Sequence, residues 1–422
     1  MAIARHPAST TPASQRTRLA PLPATSRASP LAVQPRRTPT ATAHRAAPVP
    51  SSNPAMPGLW KPGTAGRGAT PNVAAGATPS GPSGPTSSGA GGLTRIDVPK
   101  DGRILLIGIT GATGRSALQG LLSVAGPGRT AHTLLAMSRN PGGSTAAGLP
   151  AGVQVVRGDL DDPPSLEPAL RGVDAVYCHA LSKDGSTADP QELVRARSLA
   201  AAAKAAGVRL IMYNSSGGKG CGYGITQMEQ KHQVEDILAS AVPTVALQAT
   251  LFMEELWKRY TRPGILKGTF TWSTPSDRPI QLVAARDLGL VAGSLLAGGG
   301  AHVPASPRPL LCVELAGDEL TPDEMCAAFA AAQGSPVKHQ RAPAWPFYFL
   351  ARDVWRISRF LTERGFGADV ANCRQQYPGL LTFRDFLDRT GWADPGRTFE
   401  DGIAFAEAQG QQASKSKANT PA

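Results

Sequence analysis

The first 96 residues of this 422-residue chain contain no aspartate or glutamate, against ten lysines and arginines. They are also poor in large apolar residues and crowded with Ala, Pro, Ser, Thr and Gly. Such a segment cannot bury enough apolar surface to offset the entropy of ordering, so it reads as a disordered extension. It carries most of the chain's net charge of +12, because residues 97–422 hold 33 basic side chains against 31 acidic ones. The folded part therefore lacks the Lys/Arg cluster of a nucleic-acid footprint, and no nucleic-acid partner is expected. Cysteine is scarce too. Cys178, Cys221, Cys312, Cys326 and Cys373 are scattered and include no CxxC pair. That argues for a reducing compartment, against a disulfide frame, and against a metal site. Long apolar runs are missing as well. The stretch 288–307 lacks Asp, Glu, Lys and Arg, but its glycines and prolines spoil it as a spanning helix, so no membrane span is expected.

An Arg-, Ser- and Thr-rich, acid-free N-terminus without an apolar core has the composition of an organelle transit peptide. Its abundance of Ser, Thr, Pro and Ala favours chloroplast over mitochondrion, with cleavage between about residues 35 and 75. Residues 63–92 then read as a Gly/Ser/Pro linker.

What is present begins at Ile104-Leu105-Leu106-Ile107-Gly108-Ile109-Thr110-Gly111-Ala112-Thr113-Gly114-Arg115-Ser116-Ala117. An apolar run enters a glycine-spaced turn, which leads into Leu118, Leu121 and Leu122 at helical spacing. Strand, Gly-rich turn and helix open a dinucleotide-binding Rossmann unit. On this reading Gly111 turns the chain with a positive φ. Gly114 admits a pyrophosphate, and Ala117 takes the third, close-packing position. The backbone N–H groups of Ala112 and its neighbours then face the phosphates, with Arg115, just inside the helix, as a further phosphate contact.

The chain continues as alternating strands and helices. A strand over about 133–137 ends in Ser138-Arg139-Asn140. An NAD site favours a carboxylate here, whereas the planar fork of Arg139 suits a 2′-phosphate, so the reading is NADP over NAD. Val153–Val156 is the third strand. Asp159, after it, faces the adenine or belongs to a helix start, and Asp161 and Asp162 read as the cap of that helix. A fourth strand, 174–179, ends at Cys178-His179-Ala180-Leu181, where Ala180 passes the cofactor. A helix over 190–206 precedes a fifth strand, 208–213. Asn214-Ser215-Ser216 follows, and Ser215 or Ser216 either hydrogen-bonds a substrate carbonyl or satisfies the loop's own backbone. A helix over 225–239 carries Lys231. The tyrosine of a Tyr-x-x-x-Lys pair is missing, since Gln227 stands four residues before Lys231. Tyr223, eight residues before it, is the remaining candidate acid. Otherwise Lys231 handles the proton, or pairs with Glu235 on the helix surface. Further on, Thr321 and Glu324 form a capping box for a helix over 322–333. The aromatic stretch 343–360 reads as core or pocket lining.

Several segments in order make this chain resemble the NmrA-like family of atypical short-chain dehydrogenase/reductases over about residues 103–392. They are Thr110–Gly114 (TGATG), Ser138-Arg139-Asn140-Pro141, Gly158–Asp162 (GDLDD), Lys231 with Val234–Leu238, and Thr250–Glu255 (TLFMEE). Asp287-Leu288-Gly289, Gly317–Thr321 (GDELT) and Tyr377–Phe383 (YPGLLTF) complete the set. The resemblance implies an α/β fold, a doubly wound Rossmann sheet with a smaller C-terminal α/β substrate part, and NADP(H) between them. It implies cofactor contacts from Gly111 to Ser116, Arg139 and Lys231, with Asp159, Leu160 and Ala180 along the strand ends. It places Phe252 and Glu255 near the nicotinamide, although the family often has Asn where this chain has Glu255. The expected division is a disordered leader and linker over 1–96, an NmrA-like unit over 97–395 and a tail over 396–422. Within that unit the core takes about 103–250 and the substrate part about 251–395. Two functions fit the family. One is NADPH-dependent hydride transfer to a small carbonyl, enone or benzylic substrate. The other is a catalytically silent NADP(H) sensor or organelle assembly factor acting through protein partners.

Overall fold

The computed structural model describes residues 92–143, 148–182 and 188–399. The acid-free leader up to residue 91 and the tail from residue 400 lie outside the described residues.

Seven parallel strands form the central sheet: β2 (Arg103–Ile107), β3 (Thr133–Ser138), β4 (Val153–Arg157), β5 (Ala175–Cys178), β6 (Leu210–Ser216), β7 (Thr244–Ala249) and β12 (Leu310–Leu315). Their order is β12-β7-β6-β5-β2-β3-β4. The chain first runs outward from β2 to β4, then crosses back to β5, so the strand order reverses between β2 and β5. A doubly wound sheet binds ligands in the crevice at that reversal.

Residue alternation decides the two faces. Ile104 and Leu106 of β2 enter one core, while Leu105 and Ile107 enter the other. β3 divides in the same way, with Leu134 and Ala136 opposite Leu135 and Met137. A strand covered on both sides must be apolar throughout, which is why this run carries no alternation of polarity. The second face is covered by α2 (Leu166–Leu170), α3 (Gln191–Ala205) and α4 (Thr226–Ala239). The first face is covered by α1 (Ala112–Ala125) and, after the short α5 (Arg262–Leu266), by α6 (Ala285–Ala297).

Glycines let α1 and α6 touch backbone to backbone. A Cβ on Gly289 would lie 1.7 Å from the Ala117 carbonyl oxygen, and one on Gly120 would lie 1.8 Å from that of Arg286. The Asp-Leu-Gly segment of the sequence is thus a packing device.

Beyond β7 the chain builds a small sheet from β8 (Leu251–Phe252), β10 (Ile280–Val283) and β13 (Asp318–Leu320). A parallel pair also forms, from β9 (Thr269–Trp272) and β14 (Lys338–Arg341). An aromatic core holds this region together: Trp257, Phe270, Phe329, Phe383, Phe386 and Trp392. It is roofed by α7 (Pro322–Gln333) and α11 (Phe383–Thr390). The capping box expected of Thr321 and Glu324 is present, and Thr382 with Asp385 forms another. α8 (Phe347–Leu350), α9 (Arg352–Glu363) and α10 (Val370–Gln376) complete the described helices.

Four expectations are corrected. Ordered chain begins before residue 97, because β1 (Leu93–Asp97) pairs antiparallel with β11 (Gly300–Pro304). Its first four residues sit inside the 1–96 stretch whose composition reads as disordered; backbone pairing, more than side-chain burial, recruits them. A cut at 250 does not separate core from substrate part, since β12 returns to the edge of the central sheet beside β7. The strand expected over 208–213 is β6 and runs on to Ser216, which puts Asn214 and Ser215 inside the sheet. The aromatic stretch 343–360 is not core along its length: Trp345 is 68% exposed and Phe349 77%.

Candidate functional site at the strand ends

The glycine turn assembles the site, with its roles shifted by one glycine. Gly108 is the residue with positive φ (74°), and a side chain there would strike the Ala180 backbone at 2.9 Å. Gly111 has φ −75°, an ordinary value, and a Cβ there would meet nothing within 4 Å. Gly114 is the packing glycine, since its Cβ would lie 2.2 Å from the Gly108 carbonyl oxygen. The turn therefore spaces its glycines 108-111-114: tight turn, open face, helix–strand contact. Ala117 serves the α1–α6 seam instead.

α1 starts without a side-chain cap and without an acidic residue in its first turn. Its first helical bond runs from the Arg115 N–H to the Gly111 carbonyl at 2.9 Å. The N–H groups of Ala112, Thr113 and Gly114 precede that bond and carry the positive end of the helix dipole. Arg115 is half-buried behind them. Ser116 faces the other way: it is buried, and its hydroxyl donates to Glu254 at 3.4 Å in the α1–α6 seam, which corrects its assignment to the cofactor contacts.

Around the turn, the strand ends supply a polar chain. His179, just past β5, has Nε2 3.1 Å from the Thr113 hydroxyl and Nδ1 2.6 Å from Nδ2 of Asn214 on β6. The same Asn214 amide donates to the Tyr177 hydroxyl at 3.0 Å. Burial, reinforced by the nearby Lys231 charge, pushes His179 down to about 4, so its ring is neutral across the physiological range. Burial pushes the Tyr177 phenol upward. Two atoms here are buried and have no partner among the described residues, the Asn214 Oδ1 and the Ser215 Oγ. Neighbours along a strand point to opposite faces, so these two atoms lie on either side of β6, each a costly exception among buried polar groups.

Lys231 stands beside this chain. Its ammonium donates to Glu192 of α3 at 3.1 Å, and the buried Tyr213 hydroxyl donates to the same carboxylate oxygen at 3.1 Å. The pairing with Glu235 does not form, because Glu235 is taken by Lys219 at 2.8 Å and by Gln248 at 2.8 Å. Tyr223 is engaged elsewhere. Its hydroxyl donates to Glu363 at 3.1 Å and its ring packs edge-on against Phe360. Those contacts belong to α9, whose Phe360 and Leu361 close over Ile225 and Met228.

The remaining candidates are spread along the carboxyl edge. Arg139 is exposed at the end of β3, after a turn in which the Asn140 N–H donates to the Ser138 hydroxyl. Asp159 turns its carboxylate onto the Asp161 N–H at 3.0 Å. Asp161 is not a helix cap. It pairs with the buried Arg195 of α3 through two bonds, at 2.6 and 3.2 Å. Leu160 is half-buried against the second core. Phe252 packs half-buried against the first, and Glu255 is paired with Lys258 at 2.8 Å. Sequence reasoning missed His179, Asn214 and Glu192. His179 and Asn214 lie at strand ends and were in principle findable, whereas nothing local marks Glu192 as the partner of Lys231. No cluster of three His, Cys, Asp or Glu suited to a metal occurs among the described residues, and no described helix is long and apolar enough to cross a membrane.

A sequence profile of the NmrA-like family matches residues 100–350. The chain belongs to the NmrA-like family. A relative from Streptomyces griseus, (4-alkanoyl-5-oxo-2,5-dihydrofuran-3-yl)methyl phosphate reductase, is 34% identical over 201 residues, 47% of this chain and 64% of the relative. This NmrA-like chain thus spans just under two thirds of that relative's length. Among solved structures, the NADPH-dependent quinone oxidoreductase of Escherichia coli complexed with NADPH superposes with a TM-score of 0.54 at 22% identity, covering 67% of this chain and 98% of the other. NmrA, a negative transcriptional regulator solved with NAD, superposes with a TM-score of 0.54 at 18% identity, covering 68% and 95%. These likenesses establish a shared Rossmann-type fold.

Proposed function

We propose that this NmrA-like protein is an NADPH-dependent reductase of a small organic molecule carrying an activated double bond or carbonyl. The carrying observation is the open Gly111 face at the uncapped, acid-free start of α1, beside two unpartnered buried polar atoms on β6. Those features fit a dinucleotide. The backbone from Gly111 to Gly114 would hold its pyrophosphate, Arg139 the 2′-phosphate, and Ala180 and Lys231 the riboses, with Phe252 toward the nicotinamide. Bound NADPH supplies the hydride. This chain's residues do the rest: Ser215 Oγ donates a hydrogen bond to a substrate oxygen, and Lys231 Nζ, oriented by its 3.1 Å bond to Glu192, delivers the proton. The name of the Streptomyces relative's substrate describes a ring double bond flanked by an alkanoyl and a lactone carbonyl, the kind of electron-poor alkene that accepts hydride. This supports the enone as the substrate class.

Calorimetric titration of the full chain with NADPH, NADP⁺ and NADH tests the reading. Micromolar binding of the NADP pair with weak NADH is expected, and Arg139→Glu should weaken NADPH far more than NADH. Equal losses remove the reason for choosing NADP. The second reading is a silent NADP(H) sensor or organelle assembly factor that acts through protein partners. What favours it is the engagement of Tyr223 by Glu363, together with the missing tyrosine four residues before Lys231. A large affinity gap between NADPH and NADP⁺ without turnover would select it. The acid-free leader supports an organelle address, chloroplast over mitochondrion, and a fluorescent reporter fused after residue 96 tests that.

A further inference from the structure

We propose that His179 is a positioning residue that fixes the direction of the Thr113 hydroxyl, so that its proton points out of the turn toward a bound phosphate. The proposal rests on the dinucleotide reading above and deepens it.

Donors and acceptors along this chain fix the direction of each bond. Asn214 Nδ2 is a donor only, and it lies 2.6 Å from His179 Nδ1. A neutral imidazole facing a donor at Nδ1 must carry its proton at Nε2. The ring is neutral because burial holds it at about 4. Nε2–H then faces the Thr113 oxygen at 3.1 Å and donates to it. The hydroxyl has accepted its bond from inside, so its own hydrogen is left for an acceptor on the other side. Thr113 sits in the uncapped first turn of α1, whose N–H groups have no side-chain cap, next to the open Gly111 position. Four donors then converge where an anion binds, and the hydroxyl needs no reorientation when the anion arrives. The reverse arrangement, with the Asn214 amide turned over, puts the His179 proton on Nδ1. It draws the Thr113 hydrogen inward and leaves a lone pair facing the phosphate. The two directions of one hydrogen-bond chain therefore give opposite predictions for affinity.

The first measurement is the nitrogen spectrum of the ligand-free full chain, labelled with ¹⁵N-histidine, with His179→Gln used for assignment. The Nε2–H tautomer, unchanged between about pH 6 and about pH 8, is expected. An Nδ1–H tautomer overturns the proposal, whatever the variants do. The second is a double-mutant cycle on NADPH affinity, read by calorimetry. Thr113→Val and His179→Gln should each weaken binding about tenfold, or about 1.4 kcal/mol. The double variant should be no weaker than Thr113→Val alone, because His179 acts only through that hydroxyl. Thr113→Ser, which keeps the hydroxyl, should retain wild-type affinity. Additive losses, or a Thr113→Ser variant as weak as Thr113→Val, overturn the proposal by showing that His179 or the threonine methyl acts through packing. A wild-type chain with the Nε2–H tautomer that binds no NADPH overturns the dinucleotide reading and the phosphate-directed role together. The wrong tautomer in a chain that does bind NADPH removes this proposal alone.

Discussion

Two buried polar clusters lie against the first helix, and they are finished differently. In the α1–α6 seam every carboxylate is occupied. Glu254 accepts from the Ala285 N–H with both oxygens, at 2.9 and 3.1 Å, and Ser116 adds a third bond. Asp287 accepts from Arg286 and from the Leu381 N–H, tying the C-terminal segment to α6. At the ends of β5 and β6 the polar chain is less deeply buried and incomplete, with the Asn214 Oδ1 left over, and the Ser215 Oγ is unpartnered on the other face of β6. The seam is a joint; under the proposed function the strand-end cluster is half of an interface whose other half is a ligand. Burial of polar groups is common to both, and only the count of partners separates them.

The sharpest way to break the comparison is to add one methyl to each side. Gly289→Ala places a Cβ 1.7 Å from the Ala117 carbonyl, and two helix backbones cannot yield that space without parting. A loss of about 3 kcal/mol or more is expected in thermal or urea denaturation. Gly111→Ala meets nothing within 4 Å. It should stay within about 0.5 kcal/mol of wild type while losing most of its NADPH affinity. If the two variants behaved alike, the assignment of joint and interface would be wrong.

The seam also has a pH signature. Burial lifts Glu254 from an ordinary 4.5 to about 8, and Asp287 from 3.8 to about 6, with Arg286 opposing the rise at Asp287. The folded state therefore keeps protons that the unfolded chain gives up. The contribution is full below the unfolded values. It falls as pH rises and levels off above about 8 for Glu254 and about 6 for Asp287. A tenfold change in proton affinity is worth about 1.4 kcal/mol, so the two carboxyls together contribute on the order of several kcal/mol at low pH. Urea midpoints from about pH 5 to about pH 9 should fall for the wild type, and Glu254→Gln should flatten the part above about pH 6. An unchanged slope in that variant would locate the effect elsewhere.

Lys231 tests the site side. Lys231→Ala strands the Glu192 carboxylate, which is only 3% exposed, without its cation. Breaking a buried pair costs about 3 kcal/mol, so stability and turnover should both drop. Lys231→Met combined with Glu192→Gln should recover much of the stability and none of the turnover. Recovery of turnover would sink the proton role. The smallest effect belongs to Ser215→Ala. Its hydroxyl has no partner to lose, so stability should stay within about 0.5 kcal/mol, while NADPH-dependent reduction slows. An unaffected rate would leave Ser215 as a strand residue only.

Much of the fold was legible because it rests on local signals. The continuous apolar run at Ile104–Ile107, the glycine spacing, and the Thr321–Glu324 box each declare themselves within a few residues. The aromatic stretch 343–360 misled because composition does not say whether Trp345 and Phe349 face a core. β1 misled because its ladder partner is some 200 residues away, at β11. The glycine roles slipped by one because the sequence shows where glycines are but not which of them carries a positive φ.

By itself, the sequence determined the order of strands and helices, the nucleotide-type turn, the split between an acid-free leader and a nearly neutral folded part, and the family. These follow from hydrophobic period and backbone permissiveness, which act over a few residues. Only the tertiary structure decided that Lys231 answers to Glu192 and not Glu235, that Ser116 faces the seam, and that Tyr223 is held by Glu363. It alone joined Thr113, His179 and Asn214 from three separate segments into one hydrogen-bonded chain. The physical reason is that a polar side chain's role depends on what remains unsatisfied around it after packing. That balance is struck between residues distant in sequence.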